Sequence, residues 1–152
     1  MASAPGAVWA PPSRVTVVCV TNQLQCERLI RSGRAVADIS KTGLSVINIS
    51  KPDLSSNDAA ALEYLFEVSK QHSAEMTVLY SDDPAKKLVA HLKAVRPVNV
   101  VTGLPTPGSQ VLPRLWKKFS AVNFFTVSLD GELQTVSLSP SAALSSEAAS
   151  AL

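Results

Sequence analysis

Apolar and polar residues form blocks along this chain, and the spacing of the apolar residues switches between the period of a strand and that of a helix. The run 15–20 is almost entirely β-branched, which is typical of a strand covered on both faces within a parallel sheet. The next block has the helical period, with charged residues on the opposite face. Its apolar stripe comprises Leu29, Ile30, Gly33, Val36 and Ala37. The chain therefore begins with a predicted strand–helix unit.

This alternation of strand and helix repeats along the chain. The predicted strands cover 15–20, 44–49, 75–80, 98–102 and 123–129, and the predicted helices cover about 22–42, 58–72, 84–96 and 114–119. Such alternation indicates right-handed crossovers and a parallel sheet. Asp130 and Gly131 form a predicted two-residue turn, after which 132–138 returns as an antiparallel strand. We expect an α/β fold, a three-layer sandwich around a five-stranded parallel sheet with an edge hairpin at its C-terminal end.

Several residues mark where the predicted helices begin and end. Asn22, with Gln25 three residues later, predicts a capped helix start, and Asp83 before Pro84 predicts another. Gly43 is the predicted end of the first helix. The inward stripe of the second helix is predicted to comprise Leu62, Leu65, Phe66 and Ser69.

Composition places the chain among globular proteins with one domain. Apolar residues make up 46% and charged residues 17%, and a net charge of +2 with scattered basic residues does not favour nucleic acid as a partner. We expect a flexible leader over 1–13, a single domain over 14–138 and a low-complexity tail over 139–152. No apolar run approaches the roughly 18 residues that cross a bilayer, and the start lacks a signal-peptide pattern. A cytoplasmic protein without membrane contact is the expectation.

Parallel α/β sheets bind ligands beyond the carboxyl ends of their strands, where the strand order reverses. That rule selects the loops 21–25, 48–52, 80–83 and 103–110. The segment 103–113 is the long irregular loop of the chain, with two glycines and three prolines, and such loops are often functional. The alternative is that it only connects two elements.

Other residues that could carry chemistry have structural explanations. Asp82 and Asp83 fit a helix start better than a metal site. Cys26, in the first turn of a helix, fits an ordinary cysteine better than a redox centre, since no resolving partner is near in sequence and Cys19 is predicted to be buried. His72 and His91 have no neighbouring motif that would make a triad or a metal site. We therefore predict no catalytic residue, no metal and no enzyme activity, which leaves a small hydrolase as the least favoured alternative.

The order of the motifs carries a resemblance over about residues 14–130. The segments that carry it are 18–23, 26–31, 44–48, 62–65, 74–82 and 100–103. Together they resemble the universal stress protein domain, and most closely the version in the cytoplasmic part of potassium-responsive (Kdp-type) sensor kinases. The resemblance implies a homodimer, a stress-response role with a signalling partner protein and, in some members, binding of ATP, AMP or another adenine nucleotide.

The resemblance also implies two ligand signatures, and the chain departs from both. The ATP-binding members have Gly, two residues, Gly, nine residues, then Gly with Ser or Thr. Here Gly103 matches, Thr106 and Trp116 replace the later glycines, and Gly108 with Ser109 forms a shifted remnant.

Some members of the sensor-kinase version are associated with cyclic di-AMP, through Ser-x-Ser after the first strand and Phe-Thr-Ala-x-Tyr on the second. At that spacing Thr21 and Ser45 keep hydroxyls, Gln23 replaces the second serine, and Leu44 and Asn48 replace the aromatic residues. A cyclic dinucleotide therefore lacks its stacking partners.

These arguments predict a regulatory or sensing module with an adenine nucleotide or a cyclic dinucleotide as the candidate ligand. No other cofactor is expected. The predicted ligand-binding residues are Thr21, Asn22, Gln23, Asn48, Gly103, Gly108 and Ser109. The alternative is a ligand-free interaction module that dimerises or contacts a partner protein through its last strands.

Overall fold

A computed structural model describes residues 14–137, so the predicted leader 1–13 and tail 139–152 lie outside the described residues. The chain alternates strands and helices, with a short 3-10 turn at Leu24–Cys26. In chain order the other elements are β1 (Val15–Val20), α1 (Glu27–Ser40), β2 (Gly43–Ser50), α2 (Ser56–Gln71), β3 (Glu75–Tyr80), α3 (Pro84–Val95), β4 (Asn99–Gly103), α4 (Val111–Lys118), β5 (Asn123–Val127) and β6 (Leu133–Thr135).

The six strands form one sheet in the order β3-β2-β1-β4-β5-β6. The first five are parallel, and β6 pairs antiparallel with β5. β1 therefore lies inside the sheet, as its β-branched run predicts, with Val18 opposite Val46 on one side and Val101 on the other. The predicted fold class, including the edge hairpin, is confirmed.

Helices cover both faces of the sheet, because alternate strand residues point to opposite sides. Val18 and Val46 belong to the core beneath α1 and α2. Val17 and Ile47 belong to the core beneath α3 and α4. Each fully buried valine contributes on the order of 1.5–3 kcal/mol relative to an exposed one.

The apolar stripe of α1 is buried as predicted, and Gly33 within it permits a close approach to the sheet. A Cβ atom at Gly33 would lie 2.3 Å from Cγ2 of Val18. Glycine normally costs a helix interior roughly 1 kcal/mol relative to alanine. Here the missing side chain is what allows α1 to lie directly on β1.

Two turns differ from the prediction. Lys41, not Gly43, adopts the left-handed conformation that ends α1 (φ 58°), and Gly43 already belongs to β2. The hairpin has a three-residue connection, 129–131, because the Ser128 N–H donates to the carbonyl of Glu132 and Gly131 supplies a positive φ of 87°.

Two side-chain and boundary predictions are also corrected. Phe66 was expected in the core but is 45% exposed, while Val68 occupies the buried stripe of α2 instead. α4 begins at Val111, because Pro113 is accommodated in its first turn, where a proline needs no hydrogen-bond donor. The predicted cap at Asp83 is confirmed, since its side chain accepts a hydrogen bond from the Lys86 N–H at 3.2 Å.

Candidate functional site

The strand order reverses at β1, whose two neighbours are β2 and β4. The chain moves outward from β1 through β2 to β3, then crosses to the other side of β1 through α3. The loops after β1 and β4 therefore diverge, which is the position where open α/β sheets bind ligands. Three of the predicted site residues, Thr21, Asn22 and Gln23, follow β1, and Gly103 ends β4.

Asn22, Asn48 and Ser50 form a hydrogen-bonded group at the carboxyl ends of β1 and β2. Asn48 is 1% exposed, and its Nδ2 donates to the Val20 carbonyl at 3.0 Å and to Asn22 Oδ1 at 2.8 Å. The Ser50 hydroxyl lies 2.6 Å from Asn48 Oδ1 and 3.1 Å from Asn22 Oδ1. Because both amide hydrogens of Asn48 are engaged, this buried residue anchors Asn22 to β2.

The predicted capping role of Asn22 is wrong. The first turn is a 3-10 turn that begins after Gln23, without a side-chain cap. The Gln25 amide instead donates to Gln23 Oε1 at 3.1 Å. Asn22 Oδ1 does not accept a hydrogen bond from the helix start, because it accepts from Asn48 Nδ2 and the Ser50 hydroxyl instead. These two hydrogen bonds join the loop after β1 to β2.

A shallow open depression of about 350 Å³ lies beside this group. Its polar lining comprises Thr21, Asn22, Ser50, Lys51, Asp53 and Asp58. Hydroxyl, amide and carboxylate groups of this kind can bind ribose hydroxyls or the polar edge of a base. Sequence reasoning missed the last four residues, although the strand-end rule had selected the loop that contains two of them.

Arg28 lies across the carboxyl ends of β4 and β5. Its Nε donates to the Ser128 carbonyl at 2.7 Å, its Nη1 to the Gln25 carbonyl at 2.7 Å, and its Nη2 to the Val127 carbonyl at 3.4 Å. A guanidinium has five N–H donors, so two have no acceptor among residues 14–137. No sequence pattern indicated this role, because Arg28 belongs to the charged face of α1.

Gly103 places bare backbone beside that guanidinium. A Cβ atom at Gly103 would lie 3.5 Å from Arg28 Nη2. A guanidinium with two N–H groups to donate, beside backbone that no side chain covers, can bind a phosphate through two parallel hydrogen bonds. The structure thus brings Gly103 together with a residue that sequence reasoning did not select.

Gly108 and Ser109 lie farther along the loop and shape its turn. Gly108 has a φ of 81°, and the Ser109 N–H donates to the Thr106 carbonyl at 2.9 Å. The Ser109 hydroxyl accepts from the Val111 N–H at 3.3 Å, at the start of α4. Among residues 14–137 no hydrogen bond joins Gly108 or Ser109 to Thr21 or Asn22.

The two cysteines have different surroundings. The buried Cys26 Sγ lies 3.4 Å from the Thr21 hydroxyl. Cys19 is partly buried among apolar residues, and desolvation raises the pKa of its thiol. A raised pKa keeps Cys19 protonated, which is the opposite of an activated nucleophile.

Within the part of the chain that the structure describes, no group of three or more His, Cys, Asp or Glu side chains could hold a metal ion. No helix over 14–137 is long and apolar enough to span a bilayer.

Comparison of the sequence with known protein families finds no match, and comparison with curated proteins finds none either. Solved structures of universal stress proteins do match. One, in complex with cAMP, has a TM-score of 0.57 and 18% identity, over 76% of this chain and 97% of that one. One from Burkholderia pseudomallei has a TM-score of 0.56 and 10% identity, over 78% and 98%.

A third, from Archaeoglobus fulgidus in complex with dAMP, has a TM-score of 0.51 and 16% identity, over 69% of this chain and 90% of that one. Identities this low establish the architecture alone. The element order, the sheet topology and these matches agree, so the chain has the universal stress protein fold.

Proposed function

We propose that the protein is a non-enzymatic regulatory module that binds an adenine mononucleotide at the carboxyl ends of β1 and β4. The nucleoside would contact Thr21 and Asn22 in the polar depression. The phosphate would contact Arg28 and the backbone at Gly103.

The observation that carries this proposal is the pairing of Arg28 with Gly103 at the reversal of strand order. Two guanidinium N–H groups without acceptors among residues 14–137 can bind one phosphate bidentately. The absence of a side chain at Gly103 lets the phosphate approach the backbone. Structures with the same fold in complex with cAMP and dAMP support the ligand class.

A mononucleotide fits the loop better than ATP does. Thr106 and Trp116 stand where the ATP signature has glycines, and the Ser109 N–H is already bonded to the Thr106 carbonyl. Fewer backbone donors therefore remain for a triphosphate. Cyclic di-AMP, the ligand associated with some members of the sensor-kinase version, serves as a comparison ligand, because Leu44 and Asn48 replace the aromatic residues that would stack on it.

Isothermal titration of the full chain with AMP, cAMP, dAMP, ATP and cyclic di-AMP tests the proposal. Gly103→Ala should weaken AMP binding about tenfold, which is about 1.4 kcal/mol, without unfolding the protein, because its Cβ would make only an ordinary contact with Arg28. Gly43→Ala, at the opposite end of the sheet, is the matched control. If folded protein binds none of these nucleotides, the proposal fails; ATP turnover that Gly103→Ala abolishes would contradict its non-enzymatic part.

A second candidate function is an interaction module that pairs with another copy through its last strands. The observation that favours it is the exposure of two large apolar residues at the hairpin, Leu129 at 74% and Leu133 at 41%. Light scattering should then find a dimer that Leu133→Lys converts to a monomer. A monomer at all concentrations would reject this candidate and leave the nucleotide proposal untouched.

A further inference from the structure

β3 is an edge strand of the sheet that residues 14–137 form. One of its sides pairs with β2 from Glu75 to Tyr80, and no strand within residues 14–137 pairs with the outer side. Proteins usually protect such an edge with proline, lysine, a bulge or a covering element. The sequence of β3, EMTVLY, contains neither proline nor lysine. The backbone groups on this edge can therefore form hydrogen bonds with an added strand.

An apolar groove of about 570 Å³ runs between this edge and α2. Its apolar lining comprises Leu54, Leu62, Phe66, Val78 and Tyr80. Phe66 is 45% exposed and Tyr80 is 54% exposed, so two aromatic rings of the groove face solvent. This arrangement accounts for Phe66, which the helical pattern had placed in the core.

Every second side chain of β3 lies on the same face of the sheet as the groove. Val78 packs against the core on the α2 face, whereas Leu79 packs against the core on the other face. Side chains alternate along a strand, so a strand added beside β3 would place every second side chain over the groove.

The rim of the groove is acidic. Glu63 and Glu67 line it. Lys70 partly neutralises Glu67 at 3.4 Å, with its ammonium 5.3 Å from the centre of the Phe66 ring. Glu63 has no cationic partner among residues 14–137. The groove therefore favours an occupant that carries positive charge.

A second copy of this chain does not satisfy that requirement. Antiparallel pairing of two β3 edges around a two-fold axis would bring the α2 helices of both copies together on one face. The acidic rims of both copies would then lie on the same face along one seam, and like charges brought together are destabilising.

We propose that the β3 edge and this groove bind an extended segment of a partner protein that carries both apolar residues and lysine or arginine at every second position, on the side that faces the groove. The segment adds to the sheet as a seventh strand, so that main-chain hydrogen bonds supply affinity. Its apolar side chains contact Phe66 and Tyr80. Its cationic side chains approach Glu63 and Glu67.

Fluorescence anisotropy with the full chain tests this proposal, using a labelled peptide in which valine and lysine take turns at every second position and threonine fills the positions between them. The double variant Glu63→Gln, Glu67→Gln should weaken binding about tenfold at low salt. Glu132→Gln, beside the opposite sheet edge, is the matched control and should leave binding unchanged. In NMR spectra, the amide shifts should concentrate on residues 75–80.

Three results would overturn the proposal. The first is equal binding of a peptide with glutamate in place of lysine. The second is an amide shift pattern that avoids β3, or no binding to folded protein. The third is self-association that Tyr80→Lys abolishes, which would assign the groove to a second copy.

Discussion

The two ends of the sheet carry two polar groups built from the same residue types, asparagine with serine or threonine. At the amino end, Asn99 Nδ2 donates to the Thr16 hydroxyl at 3.0 Å and to the Ser40 hydroxyl at 2.9 Å. Its Oδ1 accepts from Asn123 Nδ2 at 3.1 Å, and Thr16 is 2.6 Å from Thr42. At the carboxyl end, Asn48 makes the corresponding bonds to Asn22 and Ser50.

Each group combines buried residues with a partner nearer the surface. At the amino end, Asn99 and Thr16 are 2% and 0% exposed, and Asn123 is the exposed partner. At the carboxyl end Asn22 is half-buried and lines the open depression. Similar residue types therefore join the strands at both ends of the sheet, and the group at the carboxyl end borders the depression. Topology, not residue type, distinguishes the candidate site from the structural network.

Asn99→Ala should have the largest effect on stability. It removes the amide that joins β1, β4, β5 and the end of α1, and it leaves buried hydroxyls with fewer partners. We expect a loss of about 3 kcal/mol in the free energy of unfolding, measured by urea titration. AMP affinity of the remaining folded protein should not change, and a change would contradict the separation of the two ends.

Asn48→Ala should destabilise the protein less, by about 2 kcal/mol, although Asn48 is as deeply buried. Its partner Asn22 faces the depression, so water can replace the lost bond on that side. The same urea titration makes the comparison directly. A loss greater than that of Asn99→Ala would mean that the carboxyl end is not the open one.

Asn22→Ala should cost only about 1 kcal/mol of stability but should weaken AMP binding about tenfold, if the proposed site is correct. Isothermal titration gives the affinity and urea titration gives the stability. Asn123→Ala, an exposed member of the amino-end group, is the matched control. It should leave AMP binding unchanged; equal loss of binding in both variants would place the ligand elsewhere.

The smallest effect is a pH response confined to the carboxyl end, because the amino-end group contains no titratable residue. There the Tyr64 hydroxyl donates to Glu27 Oε1 at 2.5 Å and lowers the pKa of that carboxyl below its usual 4.5, with a further contribution from Arg31. Tyr64→Phe should raise the pKa of Glu27, as measured by carboxyl NMR titration.

The lowered pKa of Glu27 sets the direction in which stability changes with pH. The folded state favours ionised Glu27, so the associated stability is present above the unfolded-state pKa and is lost as the pH falls through the folded-state value. Because Glu27 is partly exposed, solvent screening keeps the stability change small. An unchanged pKa in Tyr64→Phe would show that this hydrogen bond does not form in solution.

Local sequence patterns predicted most of the fold. The β-branched run of β1 and the apolar stripe of α1 reflect burial that acts within one element. The cap at Asp83 depends on neighbours only three residues away. Predictions were wrong where a distant contact decides the outcome: Phe66 lies on a groove at the sheet edge, and Lys41 ends α1 because the Gly43 N–H donates to the carbonyl of Arg14.

The candidate site shows the same contrast between local patterns, which the sequence predicts, and distant contacts, which it does not. The strand-end rule selected the loops after β1, β2 and β4, because parallel strands end at a common edge. It did not find Arg28, whose partner Ser128 is 100 residues away. Nor could periodicity predict the amino-end group, since Asn99 meets Thr16 across 83 positions, whereas Asn48 meets Asn22 across 26.

The close contact at Gly33 has a consequence for the order in which the chain folds. Gly33 meets Val18 across a short segment, and β1, α1 and β2 form a continuous unit within residues 15–50. Short loops close at low entropic cost, so this unit can assemble before β4 reaches β1. Gly33→Ala would separate helix from strand in that early unit, so it should slow refolding as well as speed unfolding.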